Sequence, residues 1–217
     1  MIDTQNRFLY AAVVTLLFLG ALFTWSTIYR TVNTFSVGSA PALEAETEPP
    51  ALPPVRVSDP RLGSTRPDAL EVVEFADYRC LHCRAMAPDL LALATDAQKN
   101  IRLIWREAPT QDQSDAALLP FAAARCAYAQ GKFGEMHAAL FQLGTFTETA
   151  ILEKAAALRL DQGRFRSCLS DKRVLDAIRT DQATALVNRI SAAPTLFVRG
   201  LPYVGQLERN QLEAILR

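Results

Sequence analysis

The sequence predicts an α/β fold that follows an N-terminal transmembrane helix. Three observations predict it: an uncharged apolar run near the N-terminus, strand-like segments early and late in the remainder, and helical periodicity between them. The chain has 217 residues, half of them apolar, which suffices for one buried core and an additional segment. Its 23 basic and 23 acidic residues balance, so the overall charge gives no indication of nucleic-acid binding.

The apolar run extends from Phe8 to Tyr29 and contains no charged residue. As a helix it would be about 33 Å long, which is enough to span the hydrocarbon core of a bilayer. The apolar region of a cleaved signal peptide is shorter, roughly 7 to 15 residues, and the nearest small residues here are followed at once by Pro41. We therefore expect residues 1–30 to remain as an anchor, with removal as a signal peptide as the alternative.

Residues 31–54 are predicted to be a linker between the anchor and a folded domain at 55–217. This segment is rich in Ala, Glu and Pro, and it has no periodic apolar pattern. Proline-rich chains are extended and semi-rigid, so such a linker would hold the domain away from the lipid.

The predicted domain begins with a β-α-β unit. Leu70–Phe75 has the composition of a buried strand, and Ile101–Arg106 alternates as a second strand. The segment between them, about 80–98, has helical periodicity with a kink expected at Pro88. A right-handed crossover would place the two strands parallel in one sheet.

The rest of the domain is a helical insert followed by a β-β-α unit. The insert covers about 113–189 and contains four or five amphipathic helices. Two short strands and a helix follow it, at 195–199, 202–204 and 207–216. A β-α-β unit, a helical insert and a closing β-β-α unit together predict a thioredoxin-like fold with an inserted helical domain.

Two cysteines, Cys80 and Cys83, stand at the predicted junction of the first strand and its helix. Unpaired backbone N–H groups and the helix dipole stabilise a thiolate at the start of a helix. Cys80 is therefore the predicted nucleophile, and Cys83, about one turn further along, is the predicted resolving thiol. His82 adds a donor or a positive charge beside Cys80 and should favour its thiolate form further.

Half of a zinc site is the alternative interpretation of this cysteine pair. A zinc site needs two more ligands at suitable spacing. Cys126 and Cys168 stand alone in separate segments, and His137 is the only other histidine. We therefore predict thiol chemistry without a metal or another cofactor, and a packed structural role for His137.

The cysteines also indicate the compartment. Two of the four are isolated and could pair, which fits an oxidising space such as the bacterial periplasm better than the cytosol. The basic residues on the two sides of the apolar run are only mildly asymmetric, so the cysteines decide the orientation. The predicted location is the bacterial inner membrane, with a single span and the catalytic domain in the periplasm.

Three ordered segments carry a family resemblance. They lie at 74–84, preceded by 59–63, then at 130–137 in the insert, and at 193–200 near the end. In this order they resemble segments of DsbA-like thiol:disulfide oxidoreductases, and the similarity covers roughly residues 55–217. Three motifs in order are far more specific than one Cys-x-x-Cys pair.

The resemblance implies roles for several residues. Cys80 and Cys83 match the redox pair of the family, and Pro194 matches a proline whose preceding peptide bond is cis and lies against the active site. A cis bond there would turn the backbone of Ala193 toward a substrate strand, which makes Ala193, Pro194 and Thr195 the expected substrate-binding segment.

The resemblance also concerns Glu74 and the two isolated cysteines. Glu74 matches a buried acid that accepts the proton of the inner cysteine, the alternative being a strand-end residue that faces solvent. Cys126 and Cys168 match a second, non-catalytic disulfide of some family members, the alternative being two buried free thiols. The family usually has proline directly after the first cysteine, and Leu81 stands there instead, so the redox potential is left open.

These observations predict a membrane-tethered periplasmic thiol:disulfide oxidoreductase. It would act as a monomer on cysteine-containing exported proteins and be reoxidised by a quinone-linked membrane protein. A disulfide oxidase is favoured over a reductase or isomerase because residues 31–54 are too short to form the dimerisation domain that related isomerases usually carry. A tethered thiol-binding chaperone or assembly factor with little turnover is the alternative from another functional class.

Overall fold

The computed structural model describes residues 4–34, 52, 54–108, 112, 114–190 and 192–217, with side chains in the first helix described for residues 14–30. The chain divides into two compact units, residues 1–48 and residues 49–217. The predicted linker at 31–54 lies largely outside the described residues.

The first unit contains helix α1, Thr4–Thr34. Its large apolar side chains between residues 14 and 30 are exposed, among them Phe18, Phe23 and Trp25. Within the described part of the chain, no helix is both long enough and apolar enough to cross a membrane. The transmembrane anchor stays a prediction.

The second unit is built on a five-stranded sheet in the order β1-β3-β2-β4-β5. The strands are β1 (Arg61–Gly63), β2 (Leu70–Ala76), β3 (Ile101–Glu107), β4 (Thr195–Val198) and β5 (Leu201–Val204). The two central strands, β2 and β3, are parallel, as the sequence predicts, and Glu74 lies opposite Trp105 in their register. The other three pairings are antiparallel.

Helix α2 (Leu81–Thr95) connects the two parallel strands, and α8 (Arg209–Ile215) closes the chain. Five helices stand between β3 and β4, namely α3 (Asp115–Tyr128), α4 (Phe133–Gln142), α5 (Glu148–Ala157), α6 (Gln162–Leu169) and α7 (Lys172–Val187). Four of the five begin at a residue whose side chain accepts a backbone N–H, namely Ser114, Thr147, Asp161 and Asp171. The thioredoxin-like fold with a helical insert is confirmed.

The sheet separates two hydrophobic layers. On one face, apolar residues of the central strands pack against α2 and α8, including Val72, Leu103, Leu90 and Leu212. On the other face, Val73, Phe75, Ile104 and Phe197 pack against the end of α7. Because successive strand residues point to opposite faces, Glu74 and Trp105 lie on the α2 face, and Arg106 lies on the α7 face.

Candidate active site

Cys80 is the N-cap residue of α2, so the first turn of the helix forms beneath its sulfur. The backbone N–H of Cys83 donates a hydrogen bond to Cys80 Sγ at 3.2 Å. Cys80 is half-buried, whereas Cys83 is fully buried, and both are free thiols. The helix N-terminus therefore acts on the more accessible sulfur, which suits Cys80 for attack.

Cys83 lies beneath the helix start, in the layer between α2 and the sheet. Burial raises the pKa of the Cys83 thiol far above its ordinary value of 9.0, and its hydrogen bond with Cys80 raises it further. The thiol therefore stays protonated at neutral pH. When Cys83 acts as a nucleophile or leaving group, a neighbouring group has to take or return its proton.

Glu74 is the acid placed to do this. It is fully buried on the α2 face of β2, and its charge is close enough to Cys83 to raise the pKa of that thiol. Neither carboxyl oxygen of Glu74 has a hydrogen-bond partner among the described residues, and burial raises its pKa to about 8. The solvent-facing alternative for Glu74 is wrong, because the inward face of this strand is covered by α2.

The segment from Ala193 to Thr195 lies directly against the nucleophile. The Ala193–Pro194 peptide bond is cis, and Cys80 Sγ lies 3.4 Å from the carbonyl oxygen of Ala193. The carbonyl of Pro194 accepts the backbone N–H of Gly205 at 2.8 Å. Thr195 is buried at the start of β4, and its hydroxyl donates to the Ala192 carbonyl at 2.8 Å. The structure thus brings the predicted substrate-binding segment and Cys80 together.

His82 is exposed on the outer side of α2. Its Nδ1 lies 3.1 Å from Oε1 of Gln206, in the loop after β5. The ring is therefore held over the rim of the site rather than beneath it. Its predicted effect on the Cys80 thiolate stays a prediction.

Sequence reasoning did not identify Tyr78, two residues before the nucleophile. Its side chain is fully buried, and its hydroxyl oxygen lies 2.8 Å from Nδ1 of His137 in α4. Burial lowers the pKa of His137 to about 3, so its imidazole is neutral. The short spacing of Tyr78 from Cys80 was the available signal, but nothing local connects Tyr78 to His137.

Sequence reasoning also missed a buried ionic network at the end of β3, formed with residues of α3 and α7. It comprises three arginines and three carboxylates: Arg56, Arg106, Arg125, Asp59, Glu107 and Asp181. Consecutive charges at the end of a buried strand, Arg106 and Glu107, were the signal that could have revealed it.

Each buried charge of this network faces an opposite charge. Arg125 donates to both Glu107 oxygens, at 2.7 and 2.6 Å, and to Asp181 at 2.5 Å. Arg106 donates to Asp59 at 2.7 Å, and the partly exposed Arg56 reaches both Asp59 and Asp181. Burial nevertheless raises the pKa of Glu107 to about 7, although Arg125 opposes the shift.

Cys126 and Cys168 form a disulfide between α3 and α6, with a Cα–Cα distance of 5.8 Å and a sequence separation of 42 residues. Cys126 is buried and Cys168 is half-buried. Among the described residues, no group of three or more His, Cys, Asp or Glu side chains is arranged to hold a metal ion.

Residues 58–217 match a family model described as thioredoxin. The chain is similar to the thioredoxin-like oxidoreductase of Silicibacter pomeroyi, with 30% identity, 74% of this chain and 91% of that chain covered, and a TM-score of 0.63. The thiol-disulfide exchange protein alpha-DsbA2 of Wolbachia pipientis has a similar fold, with 23% identity, coverage of 74% and 86%, and a TM-score of 0.65.

A curated relative is the Na(+)/H(+) antiporter NhaA 1 of Salinispora arenicola. It is 34% identical over 162 residues, which are 74% of this chain and 25% of the antiporter. The chain spans about a quarter of the length of the curated relatives it matches.

Proposed function

Because the chain belongs to the thioredoxin family, with the fold of DsbA-like thiol:disulfide oxidoreductases, we propose that it introduces disulfide bonds into exported proteins. One observation carries the proposal: the half-buried Cys80 caps α2, with the buried Cys83 and Glu74 behind it and the Ala193 carbonyl beside it. This arrangement supplies an accessible sulfur, a resolving thiol and a carboxyl group that can give or take a proton.

In the oxidising direction, the cycle starts from a Cys80–Cys83 disulfide. A client thiolate attacks Cys80 Sγ, which forms a client–Cys80 disulfide, breaks the Cys80–Cys83 bond and releases the Cys83 thiolate. Glu74, protonated below pH 8, can give that thiolate its proton. A second client thiolate then attacks the client sulfur of the mixed disulfide, and Cys80 leaves as a thiolate. The client loses two electrons and the protein gains them.

A client strand can lie along the cis-proline segment while this happens. The backbone of Ala193 borders the nucleophile, with its carbonyl oxygen 3.4 Å from Cys80 Sγ. Main-chain hydrogen bonds to an extended peptide would align a client cysteine with little dependence on the neighbouring side chains. This supports a broad range of cysteine-containing clients.

Oxidation is favoured over reduction because Cys80 lies at the start of α2, where unpaired backbone N–H groups and the helix dipole favour an anion. A stabilised thiolate favours the reduced protein, so its disulfide is a stronger oxidant. Leu81, which is 72% exposed, stands where the resemblance to DsbA-like proteins predicts proline, and the redox potential decides between oxidase and reductase. Equilibration with glutathione would give a high potential for an oxidase and a low one for a reductase or isomerase. A tethered chaperone would show no catalytic turnover.

We further propose that α1 anchors the protein in the bacterial inner membrane with the catalytic domain in the periplasm. The uncharged run Phe8–Tyr29 and the exposed apolar side chains of residues 14–30 support this. A quinone-linked membrane protein would then reoxidise Cys80 and Cys83 as a neighbour in the same membrane. Intact-mass measurement would test the anchor, since loss of about 40 residues would identify a cleaved signal instead.

The curated relatives indicate a second class of client, in addition to exported proteins. They are named as Na(+)/H(+) antiporters, and a segment of each is similar to this domain. A domain of this kind next to a transporter can act on cysteines of that transporter, so membrane transport proteins are a second candidate class of client. Mass-spectrometric identification of the proteins trapped by the Cys83→Ser variant would test this.

The cysteine variants test the proposed function. Cys80→Ser should abolish turnover, because no accessible sulfur remains to exchange. Cys83→Ser cannot form the Cys80–Cys83 disulfide, but its Cys80 thiolate can still attack a client disulfide and should accumulate mixed disulfides, because no Cys83 thiol is present to release the client. Non-reducing electrophoresis and mass spectrometry would measure both, with the Cys126→Ala/Cys168→Ala double variant as the control. Equal trapping by the two variants, or stoichiometric zinc on the reduced protein, would contradict the proposal.

A further inference from the structure

We propose that the hydrogen bond between Tyr78 and His137 holds Cys80 in its reactive position, which makes His137 a positioning residue for thiol exchange. His137 belongs to the helical insert, whereas Cys80 belongs to the thioredoxin part of the domain. The inference rests on the proposed function, and it adds a role for the insert in that same site.

Tyr78 lies within the turn that delivers Cys80 to the start of α2. The backbone N–H of Cys80 donates to the Asp77 carbonyl at 3.0 Å, and the N–H of Arg79 donates to Asp77 Oδ1 at 2.8 Å. Tyr78 is the one residue of this turn whose side chain is fully buried. Its ring therefore sets the depth at which the turn sits against the domain.

The surroundings of Tyr78 restrict its ring but leave one directional contact. The ring stacks on Trp105 with centroids 4.6 Å apart and leans on Phe141 at 4.9 Å. His137 stands edge-on to Trp105 at 4.7 Å and to Phe141 at 5.0 Å. Aromatic packing tolerates sliding, whereas a hydrogen bond of 2.8 Å between two buried rings fixes both distance and angle.

The same bond persists across the working pH range. Burial lowers the pKa of His137 to about 3 and raises the pKa of Tyr78 well above its ordinary value of 10.0. Both rings are therefore neutral at any pH at which thiol exchange proceeds, and neither loses its hydrogen-bonding atom by titration. The hydrogen bond between Tyr78 and His137 is therefore not switched by pH.

Two contacts of Cys80 Sγ depend on the hydrogen bond between Tyr78 and His137. Cys80 Sγ lies 3.2 Å from the Cys83 backbone nitrogen and 3.4 Å from the Ala193 carbonyl oxygen. Both distances lie well within the range of hydrogen bonds to sulfur, and hydrogen bonds weaken steeply as their geometry departs from the optimum. A shift of the turn would therefore reduce the stabilisation of the Cys80 thiolate by the helix start.

Tyr78→Phe in the full-length protein is the decisive variant, because it removes a single oxygen and keeps the ring. We expect the rate of Cys80 alkylation by iodoacetamide at pH 7 to fall roughly 3- to 10-fold, the range that one hydrogen bond covers. The equilibrium with glutathione should shift at least about threefold toward the protein disulfide, which would make it a weaker oxidant.

Three further variants separate positioning from general stability. His137→Leu should reproduce the effects of Tyr78→Phe, whereas His137→Asn, whose side-chain amide can place a hydrogen-bonding atom near the Nδ1 position, should restore most of the rate. Tyr128→Phe, the same chemical change at a half-buried tyrosine of α3, should leave rate and equilibrium unchanged. Tyr78→Phe decides the question even if His137→Leu does not fold.

The inference is wrong if Tyr78→Phe lowers only the melting temperature while its alkylation rate and glutathione equilibrium stay within twofold of the unmodified protein. A failure of the proposed function has a different signature. In that case the unmodified protein itself would not exchange disulfides with glutathione, and the inference would be wrong with it.

Discussion

The ionisable groups buried on the two central strands have opposite surroundings. Arg106, on the α7 face of β3, belongs to an ionic network in which each buried charge meets an opposite charge. On the α2 face, Glu74 is as deeply buried as any residue of that network, yet neither of its oxygens has a hydrogen-bond partner among the described residues. Adjacent positions of two neighbouring strands thus hold a fully paired cluster and an isolated acid.

This difference separates a structural use of charge from a chemical one. A buried ion pair that is balanced and hydrogen-bonded can hold elements together through the attraction between its charges. An isolated buried carboxyl group instead stays protonated, because burial raises its pKa, here to about 8 for Glu74. Only the second arrangement leaves a proton that can be exchanged with Cys83.

Removing one charged residue from the ionic network should have the largest effect on stability. Asp181→Ala leaves three arginines facing two carboxylates, so one positive charge of the buried network loses its partner and the free energy of unfolding should fall by about 3–5 kcal/mol. Urea denaturation at pH 7 measures this. Asp176→Ala, on the same helix but with a half-exposed side chain, is the matched control and should cost less than about 1 kcal/mol. Equal losses in the two variants would show that the network adds nothing beyond surface pairing.

Glu74, the isolated acid, should behave in the opposite way when an amide replaces its carboxyl group. Folding raises the pKa of Glu74 from an ordinary 4.5 to about 8, so the native state binds more protons than the unfolded state between these values. Its stabilising contribution is complete below pH 4.5 and is lost as pH rises toward 8. The stability of Glu74→Gln relative to the unmodified protein should therefore grow by on the order of 3 kcal/mol between pH 5 and pH 8.

Denaturation curves of the reduced protein at several pH values would measure the Glu74 effect. Glu71→Gln is the control, since Glu71 lies on the same strand with an exposed side chain. Glu74→Gln should also slow the attack of Cys83 on a client–Cys80 disulfide, because glutamine cannot take a proton from Cys83. Parallel stability curves for Glu74→Gln and the unmodified protein would show that Glu74 is not protonated in the folded state.

The smallest effect is expected from His82, an exposed residue at the same site, and it concerns the reduction potential. If a donor or cation there favours the Cys80 thiolate, His82→Ala should make the reduction potential more negative. The shift should be less than about 30 mV, equivalent to tenfold in the exchange equilibrium, because solvent weakens the interaction. Leu81→Pro tests the neighbouring position independently. An unchanged potential in His82→Ala would mean that the helix start alone sets the chemistry.

Much of the fold was predictable because its signals are local. Alternation and apolar runs identified both central strands, and helical periodicity identified the insert, since each pattern is complete within a few turns of chain. The strand β1 was missed because it has only three residues, too few for a periodic pattern. Helix α2 ends at Thr95, three residues before the predicted end, where the Asp96 backbone leaves the helical conformation.

The candidate site was predictable in part for the same reason. Cys80, Cys83 and Glu74 lie within ten residues of one another, on a strand and the helix that follows it. Pro194 was found through the family resemblance, because nothing in its own neighbourhood connects it with a thiol more than a hundred residues away. Local sequence patterns assign residues to strands and helices. Without the structure, only the family resemblance indicated that residues far apart in the sequence lie close together.

The sequence by itself determined which residues form the strands, which thiol begins a helix and which segments are helical, because these properties depend on neighbours along the chain. The tertiary structure alone decided that Arg106 meets Asp59, 47 residues away, and that Tyr78 meets His137, 59 residues away. It also decided the protonation of Glu74. The free energy of a buried charge depends on the solvent and partners that packing removes or supplies, and these come from elements far apart in the sequence.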